Sequence, residues 1–95
     1  MIQIYGIPKE AFRCAGCEYA IKICEETGTE YEFIPVTKHD KLLDCLMIDR
    51  DKIVKLASRA KFRSLRIMYP VIFENSTSNN ALNVNDLKLK LNYND

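Results

Sequence analysis

The first part of the chain shows two hydrophobic patterns in succession. Residues 1–6 are rich in β-forming side chains, and Gly6 with Pro8 ends the run, which predicts a strand. From Cys17 to Thr27 the apolar side chains recur at the spacing of one helical face. A strand followed by an amphipathic helix is therefore predicted here.

A second strand is predicted directly after this helix. Gly28 stands where a helix commonly ends, and residues 31–36 are again rich in β-formers, with Pro35 near the strand end or on a sheet edge. Strand, helix and strand in this order form a βαβ unit with two parallel strands. The loop before the helix then lies at the carboxyl end of the first strand, where open α/β sheets place their sites.

The middle of the chain, residues 39–60, has a helical pattern. Its apolar side chains recur at spacings of three and four residues, and Asp49 or Asp51 suits the cap of a second helix within it. The pattern is compatible with one long helix or two short ones.

Two further strands are predicted next. Residues 67–73 are apolar and β-forming, and Pro70 is tolerated because it stands near the start of the run. The polar residues 74–80 are typical of a hairpin turn, and residues 81–84 form a short returning strand.

A last helix is predicted to run through Leu91, with Asn83 or Asn85 as its cap. The complete order is β-α-β-α-β-β-α. We therefore expect an α/β fold with a four-stranded mixed sheet flanked by helices, in one domain that covers residues 1–95.

Charge is balanced overall but not locally. Fourteen basic and thirteen acidic residues give a net charge of +1, so we expect binding to neither nucleic acid nor an anionic membrane. Between Asp51 and Glu74, however, the only charged residues are basic. This stretch is either an ordinary solvated face or a surface that steers a substrate or partner.

The chain shows no basic leader followed by a long apolar segment, so we expect it to remain in the cytoplasm where it is made. Structural disulfides are rare in that reducing compartment. The four cysteines therefore call for a redox, metal-binding or packing explanation.

The segment Cys14-Ala15-Gly16-Cys17 has the spacing of a redox dithiol. A helix amino terminus has unpaired N–H groups and a partial positive charge, which favour thiolate over thiol at Cys14. Cys14 is thus the candidate nucleophile, and Cys17, one turn further along, is the candidate resolving thiol. The cation of Arg13 either stabilises the thiolate or is an ordinary solvated loop side chain.

The remaining candidate groups have less specific patterns. Cys24 falls on the apolar face of the first predicted helix, and Cys45 lies in an apolar helical stretch, so both are expected to be packed core thiols. His39 stands among charged residues and is expected at the surface.

Three features together resemble a glutaredoxin of the thioredoxin superfamily, especially the small single-domain forms, including those of bacteriophages. They are the dithiol after the first strand, Met68-Tyr69-Pro70 before the third strand, and Asn85-Asp86-Leu87 at the start of the last helix. Two positions depart from the usual family pattern: Ala15-Gly16 replaces Pro-Tyr, and Leu82-Asn83 replaces Gly-Gly.

The resemblance implies a thioredoxin-like fold and a glutathione-dependent thiol–disulfide oxidoreductase. It implies that Pro70 is cis and faces the dithiol, that Tyr69 binds the peptide part of glutathione, and that Asn85 and Asp86 receive its γ-glutamyl end. Glutathione is then the reductant rather than a tightly bound cofactor. Glutathione mixed disulfides and protein disulfides, with ribonucleotide reductase among the candidates, are the expected substrates of a monomer in the cytoplasm, which is the host's if a phage encodes the chain.

A metal-binding or iron–sulfur module is the alternative. Cys14 and Cys17 supply two ligands, whereas a closed zinc site needs four, and the other cysteines and His39 show no second paired spacing. A cluster bridged between two monomers is a further variant, which some glutaredoxins form. No metal site is therefore assigned from the sequence.

Overall fold

A computed structural model describes residues 1–94 of the chain. Over this range the order of elements is β1 (Ile2–Gly6), α1 (Ala15–Glu26), β2 (Tyr31–Pro35), β3 (Thr37–Asp40), β4 (Cys45–Ile48), α2 (Arg50–Ala60), β5 (Val71–Phe73) and α3 (Val84–Lys90). None of these helices is both long enough and apolar enough to cross a bilayer.

The central sheet has three strands in the order β2-β1-β5. β1 runs parallel to β2, with Ile4 opposite Phe33, and antiparallel to β5, with Ile4 opposite Ile72. The predicted βαβ unit and mixed sheet are confirmed. Pro35 ends β2, which is an edge strand of this sheet, so its missing N–H costs no ladder hydrogen bond.

Helices cover both faces of the sheet. Side chains of α1 and α3 pack with alternate residues of β1 in one buried cluster, which comprises Ile2, Ile4, Ala20, Ile23, Cys24, Ile72 and Leu87. Side chains of α2 form a second cluster with β5, which comprises Val36, Ile53, Leu56, Val71 and Phe73. The domain is thus a helix–sheet–helix sandwich of the α/β class.

The predicted fourth strand of the sheet is wrong. Of residues 81–84, only Leu82 pairs with the sheet, through an isolated bridge to Ile72. The chain then turns at once into α3, because the Asn83 side chain accepts the Asp86 N–H at 2.8 Å and the Asp86 carboxylate accepts the Asn83 N–H at 3.2 Å. This capping box starts the helix immediately after the bridge, so the returning strand cannot lengthen. The apolar run 67–73 is likewise strand only from Val71.

The prediction of a helix across residues 39–60 is wrong for its first half. Residues 37–48 form the antiparallel hairpin β3–β4, in which His39 is opposite Leu46. The Asp40 carboxylate accepts the N–H groups of Leu42 and Leu43 at 2.9 and 3.1 Å, which stabilises a turn instead of a helix. The helix begins only at Arg50, and Asp49, one of the two predicted caps, is its N-cap.

The two cysteines outside the dithiol have different environments. Cys24 is fully buried in the α1 cluster, which confirms the predicted packed thiol. Cys45 lies on β4 and is exposed, so its predicted burial is wrong. The reason is that residues 45–48 form strand β4 of the hairpin, all of whose residues are exposed, instead of a helix that packs on the core. His39 is exposed, as predicted.

Candidate functional site: a dithiol at a helix amino terminus

The first turn of α1 holds the two cysteines of the site. Cys14 is the N-cap, with extended backbone angles of −122° and 98°, and its sulfur accepts the Cys17 N–H at 3.2 Å. The two residues are joined by a disulfide bond, with their Cα atoms 5.2 Å apart. Helix start and cysteine spacing therefore coincide, as the sequence predicts.

The two sulfurs differ in accessibility. Cys14 is half-buried, whereas Cys17 is only 2% exposed. A large substrate can approach the Cys14 side of the disulfide, while Cys17 is shielded by its surroundings. The roles of Cys14 as attacking thiol and Cys17 as resolving thiol stay predictions.

Gly6, at the end of β1, forms the floor beneath Cys17. A β-carbon built at Gly6 would lie 2.7 Å from Cys17 Sγ and 3.0 Å from a ring carbon of Phe33. The contact with the sulfur is shorter than real atoms adopt and the contact with the ring is tight, so the site has room for the sulfur because residue 6 has no side chain. Sequence reasoning used Gly6 as a strand end and missed this role.

Pro70 lies against Gly16, which stands between the two cysteines. The Tyr69–Pro70 peptide bond is cis, as the resemblance implies. A β-carbon at Gly16 would lie 2.9 Å from Pro70 Cδ and 3.6 Å from the Tyr69 carbonyl oxygen. The segment before β5 and the segment between the cysteines are therefore in contact. Burial also raises the pKa of the half-buried Tyr69 hydroxyl.

The other predicted site residues are less closely tied to the dithiol. Arg13 is exposed, and within residues 1–94 its side chain makes no hydrogen bond or ion pair. Asn85 and Asp86 are exposed in the first turn of α3, where Asp86 takes part in the capping box. No hydrogen bond in the described part of the chain links either of them to the dithiol, and their role in binding glutathione stays a prediction.

Two cavities border the β1–α1 loop, and the dithiol lines one of them. One, of about 390 Å³, is lined by both Cys14 and Cys17 together with residues of β2 and the β1–α1 loop. The other, of about 450 Å³, lies between the β3–β4 hairpin, the β1–α1 loop and the segment before Pro70. The second cavity was not predicted, because its hairpin wall was expected to be helix.

Metal ligands do not cluster in the part of the chain that the structure describes. Within residues 1–94, no three His, Cys, Asp or Glu side chains come together in a group that could hold a metal ion. Cys24 is enclosed in the core, and the exposed Cys45 lies on the separate hairpin.

Fold and site together define an α/β domain with a disulfide-bonded cysteine pair at a helix start, facing a cis-proline segment. No protein-family model matches the chain. A protein of Enterobacteria phage T4, the uncharacterized 11.8 kDa protein in the Gp55-nrdG intergenic region, is 42% identical over 76 residues, which make up 80% of this chain and 72% of the phage protein. The chain belongs to the same family as that phage protein.

Proposed function

We propose that this protein is a glutathione-dependent thiol–disulfide oxidoreductase of the glutaredoxin type. The observation that carries the proposal is the Cys14–Cys17 pair at the start of α1, with one sulfur accessible and the other shielded. Such a pair alternates between dithiol and disulfide without moving the backbone far, because the Cα separation of 5.2 Å suits the bond.

Cys14 is the nucleophile of the proposed reaction. Its sulfur already accepts the Cys17 N–H, and a hydrogen bond of this kind, together with the helix dipole, stabilises the thiolate in the reduced protein. Cys17 attacks second, because its 2% exposure prevents a large disulfide from reaching it first.

Reduction of a substrate disulfide by the dithiol takes two thiol–disulfide exchanges. The Cys14 thiolate attacks one sulfur of a substrate disulfide, which forms a mixed disulfide and releases the other sulfur as a thiolate. Cys17 loses its proton and attacks Cys14 Sγ, which forms the protein disulfide and releases the second substrate thiol. Two molecules of glutathione then restore the dithiol and leave as glutathione disulfide.

The glutathione site is proposed around Pro70 and the residues that the resemblance implies. Tyr69 would offer backbone groups to the peptide part of glutathione, and its carbonyl oxygen is close to the segment between the cysteines. Arg13 would stabilise the Cys14 thiolate, while Asn85 and Asp86 would receive the γ-glutamyl end. Protein disulfides, those of ribonucleotide reductase included, are the proposed physiological substrates.

The test is turnover of a glutathione mixed disulfide with glutathione and glutathione reductase, compared with turnover through thioredoxin reductase. Cys14→Ser is expected to abolish activity, whereas Cys17→Ser should lose reduction of protein disulfides and retain turnover of glutathione mixed disulfides. Cys45→Ser is the matched control, because this exposed thiol lies outside the site. Full activity of Cys14→Ser, or activity through thioredoxin reductase alone, would contradict the proposal.

A further inference from the structure

The groove between the β3–β4 hairpin and the body of the domain is open and apolar. Val36 and Ile53 form its buried floor, and exposed side chains of the hairpin together with Leu65 and Arg66 form its walls. Its volume of about 450 Å³ is in the range of sites that hold several side chains of a ligand.

Two residues that line the groove connect it to the segment that carries the dithiol. Phe12, which lines it, stands two residues before Cys14 in the sequence. Tyr69 also lines it and is bonded to Pro70, whose ring would be only 2.9 Å from a β-carbon on Gly16. A chain segment that lies in the groove therefore has its next residues beside the reactive sulfurs.

The walls expose an unusual amount of apolar side chain. Phe12 is 70% exposed and Ile48 is 67% exposed, and Met47 and Leu65 are each more than 40% exposed. A contiguous apolar surface of this kind is typical of an interaction site, since covering it removes apolar area from water.

The charge at the groove is positive. Arg66 is the one charged side chain among the lining residues, and it is exposed and without a carboxylate partner within residues 1–94. Arg63, three residues before Arg66, is also exposed and has no acidic partner in the described residues, whereas Lys61 lines a different cavity. An occupant that brings carboxylates to this edge would gain ion pairs, whereas a basic occupant would be repelled.

We propose that this groove binds an apolar, carboxylate-bearing segment of a protein whose disulfide the enzyme reduces. The proposal rests on the proposed function and adds the class of substrate to it. The apolar side chains of the segment contact the hairpin and Leu65, and its carboxylate pairs with Arg66. The substrate disulfide then lies at Cys14, where the exchange described above takes place.

The test uses short peptides whose single cysteine is joined to a 2-thiopyridyl group, mixed with the reduced protein in a Cys45→Ser background, because the exposed Cys45 thiol would also release thiopyridone. Cys14 and Cys17 together become the disulfide, and peptide thiol and thiopyridone are released, so the rate is read from thiopyridone absorbance. Three matched peptides carry apolar residues with aspartate, the same apolar residues with lysine, and serine with aspartate. A small neutral 2-thiopyridyl disulfide gives the reference rate for each variant.

We expect the apolar aspartate peptide to react about tenfold faster than the lysine peptide, relative to the reference. Arg66→Glu should reduce this preference about fivefold, since an attractive charge becomes a repulsive one at an exposed position. Leu65→Ser should slow both apolar peptides about threefold and leave the serine peptide unchanged. Lys22→Glu, an exposed charge reversal on α1 outside the groove, is the control and should behave as wild type.

Equal relative rates for all three peptides would overturn the groove proposal and leave the oxidoreductase function standing. Concentration-dependent dimerisation that Leu65→Ser abolishes would also overturn it, because the groove would then bind a second copy of the chain. Failure of the small neutral disulfide to react would contradict the proposed function itself, so the two failures are distinguishable.

Discussion

Gly6 and Cys17 are in direct contact, although one ends β1 and the other lies in the first turn of α1. A β-carbon on Gly6 would be 2.7 Å from Cys17 Sγ in the disulfide-bonded protein. The missing side chain at the end of β1 therefore leaves space for the Cys17 sulfur. The disulfide form depends on this space more than the dithiol form does. In the disulfide the position of Cys17 Sγ is fixed by its bond to Cys14, whereas in the dithiol that bond is absent.

Gly6→Ala is therefore expected to destabilise the disulfide more than the dithiol. The reduction potential of the Cys14–Cys17 pair should become more positive, because the added methyl group conflicts with the tethered sulfur. Equilibration with mixtures of reduced and oxidised glutathione, followed by thiol alkylation and mass spectrometry, measures the shift.

Gly28→Ala is the matched control for this experiment. Gly28 has a φ of 67°, so an alanine there strains the backbone, yet a β-carbon would have no atom within 4 Å. We expect this variant to lose about 1 kcal/mol of stability without any change in potential. An unchanged potential in Gly6→Ala, or the same shift in both variants, would show that the contact with Cys17 does not set the redox equilibrium.

Alkylation should distinguish the two free thiols. In the oxidised protein only Cys24 and Cys45 are unpaired, and Cys24 is fully buried while Cys45 is exposed. We expect iodoacetamide to label Cys45 alone in the native protein and both residues in denaturant. Peptide mapping by mass spectrometry checks this, and rapid labelling of Cys24 under native conditions would contradict the buried position in α1.

The pH dependence of stability should carry a contribution from Cys24. Burial and the neighbouring Glu25 carboxylate raise the pKa of this thiol above its ordinary value. The Cys24 thiol therefore ionises at a lower pH in the unfolded chain than in the folded protein. Its contribution to the free energy of unfolding is complete below about pH 8.5 and is lost as the pH rises further. Urea unfolding of the oxidised protein should show a smaller alkaline decline for Cys24→Ala, and identical slopes for both proteins would contradict this.

The side chain of Arg59 connects α2 to the polar segment after β5. Its guanidinium donates to the backbone carbonyls of Asn75 and Ser78, each at 2.8 Å, and stacks 3.8 Å from the Phe73 ring centre. Arg59→Lys loses the planar fork and should cost about 2 kcal/mol of unfolding free energy. Arg63→Lys, at an exposed position without such bonds, should be close to neutral, and equal midpoints in urea for the two variants would disprove the role.

Local signals account for what was predicted correctly. The N-cap position of Cys14, the end of α1 near Gly28 and the cap at Asp49 depend on residues within a few positions of one another. The parallel pairing of β1 with β2 follows from the helix between them, which allows few other topologies. The spacing of Cys14 and Cys17 likewise predicted that these two cysteines pair, and this prediction needed no information on the rest of the fold.

The hairpin shows why the middle of the chain was predicted wrongly. Leu42, Leu43 and Leu46 match a helical spacing by sequence, yet all three are exposed, with Leu42 at 96%. A helical pattern predicts a helix only when the apolar face finds a core to pack against. Here the Asp40 side chain stabilises a turn instead, and both buried clusters are completed by other elements.

The sequence by itself determined the pairing of Cys14 with Cys17, the helix that begins beside Cys14 and the strand on either side of that helix. Only the tertiary structure decided the number of strands in the sheet, the place of Gly6 under Cys17, the contact of Pro70 with Gly16 and the apolar groove. The physical reason is the separation of the interacting residues along the chain. Helix caps and cysteine spacing involve near neighbours in sequence. Packing contacts join residues that are far apart in sequence, and these contacts are fixed only when the whole core forms.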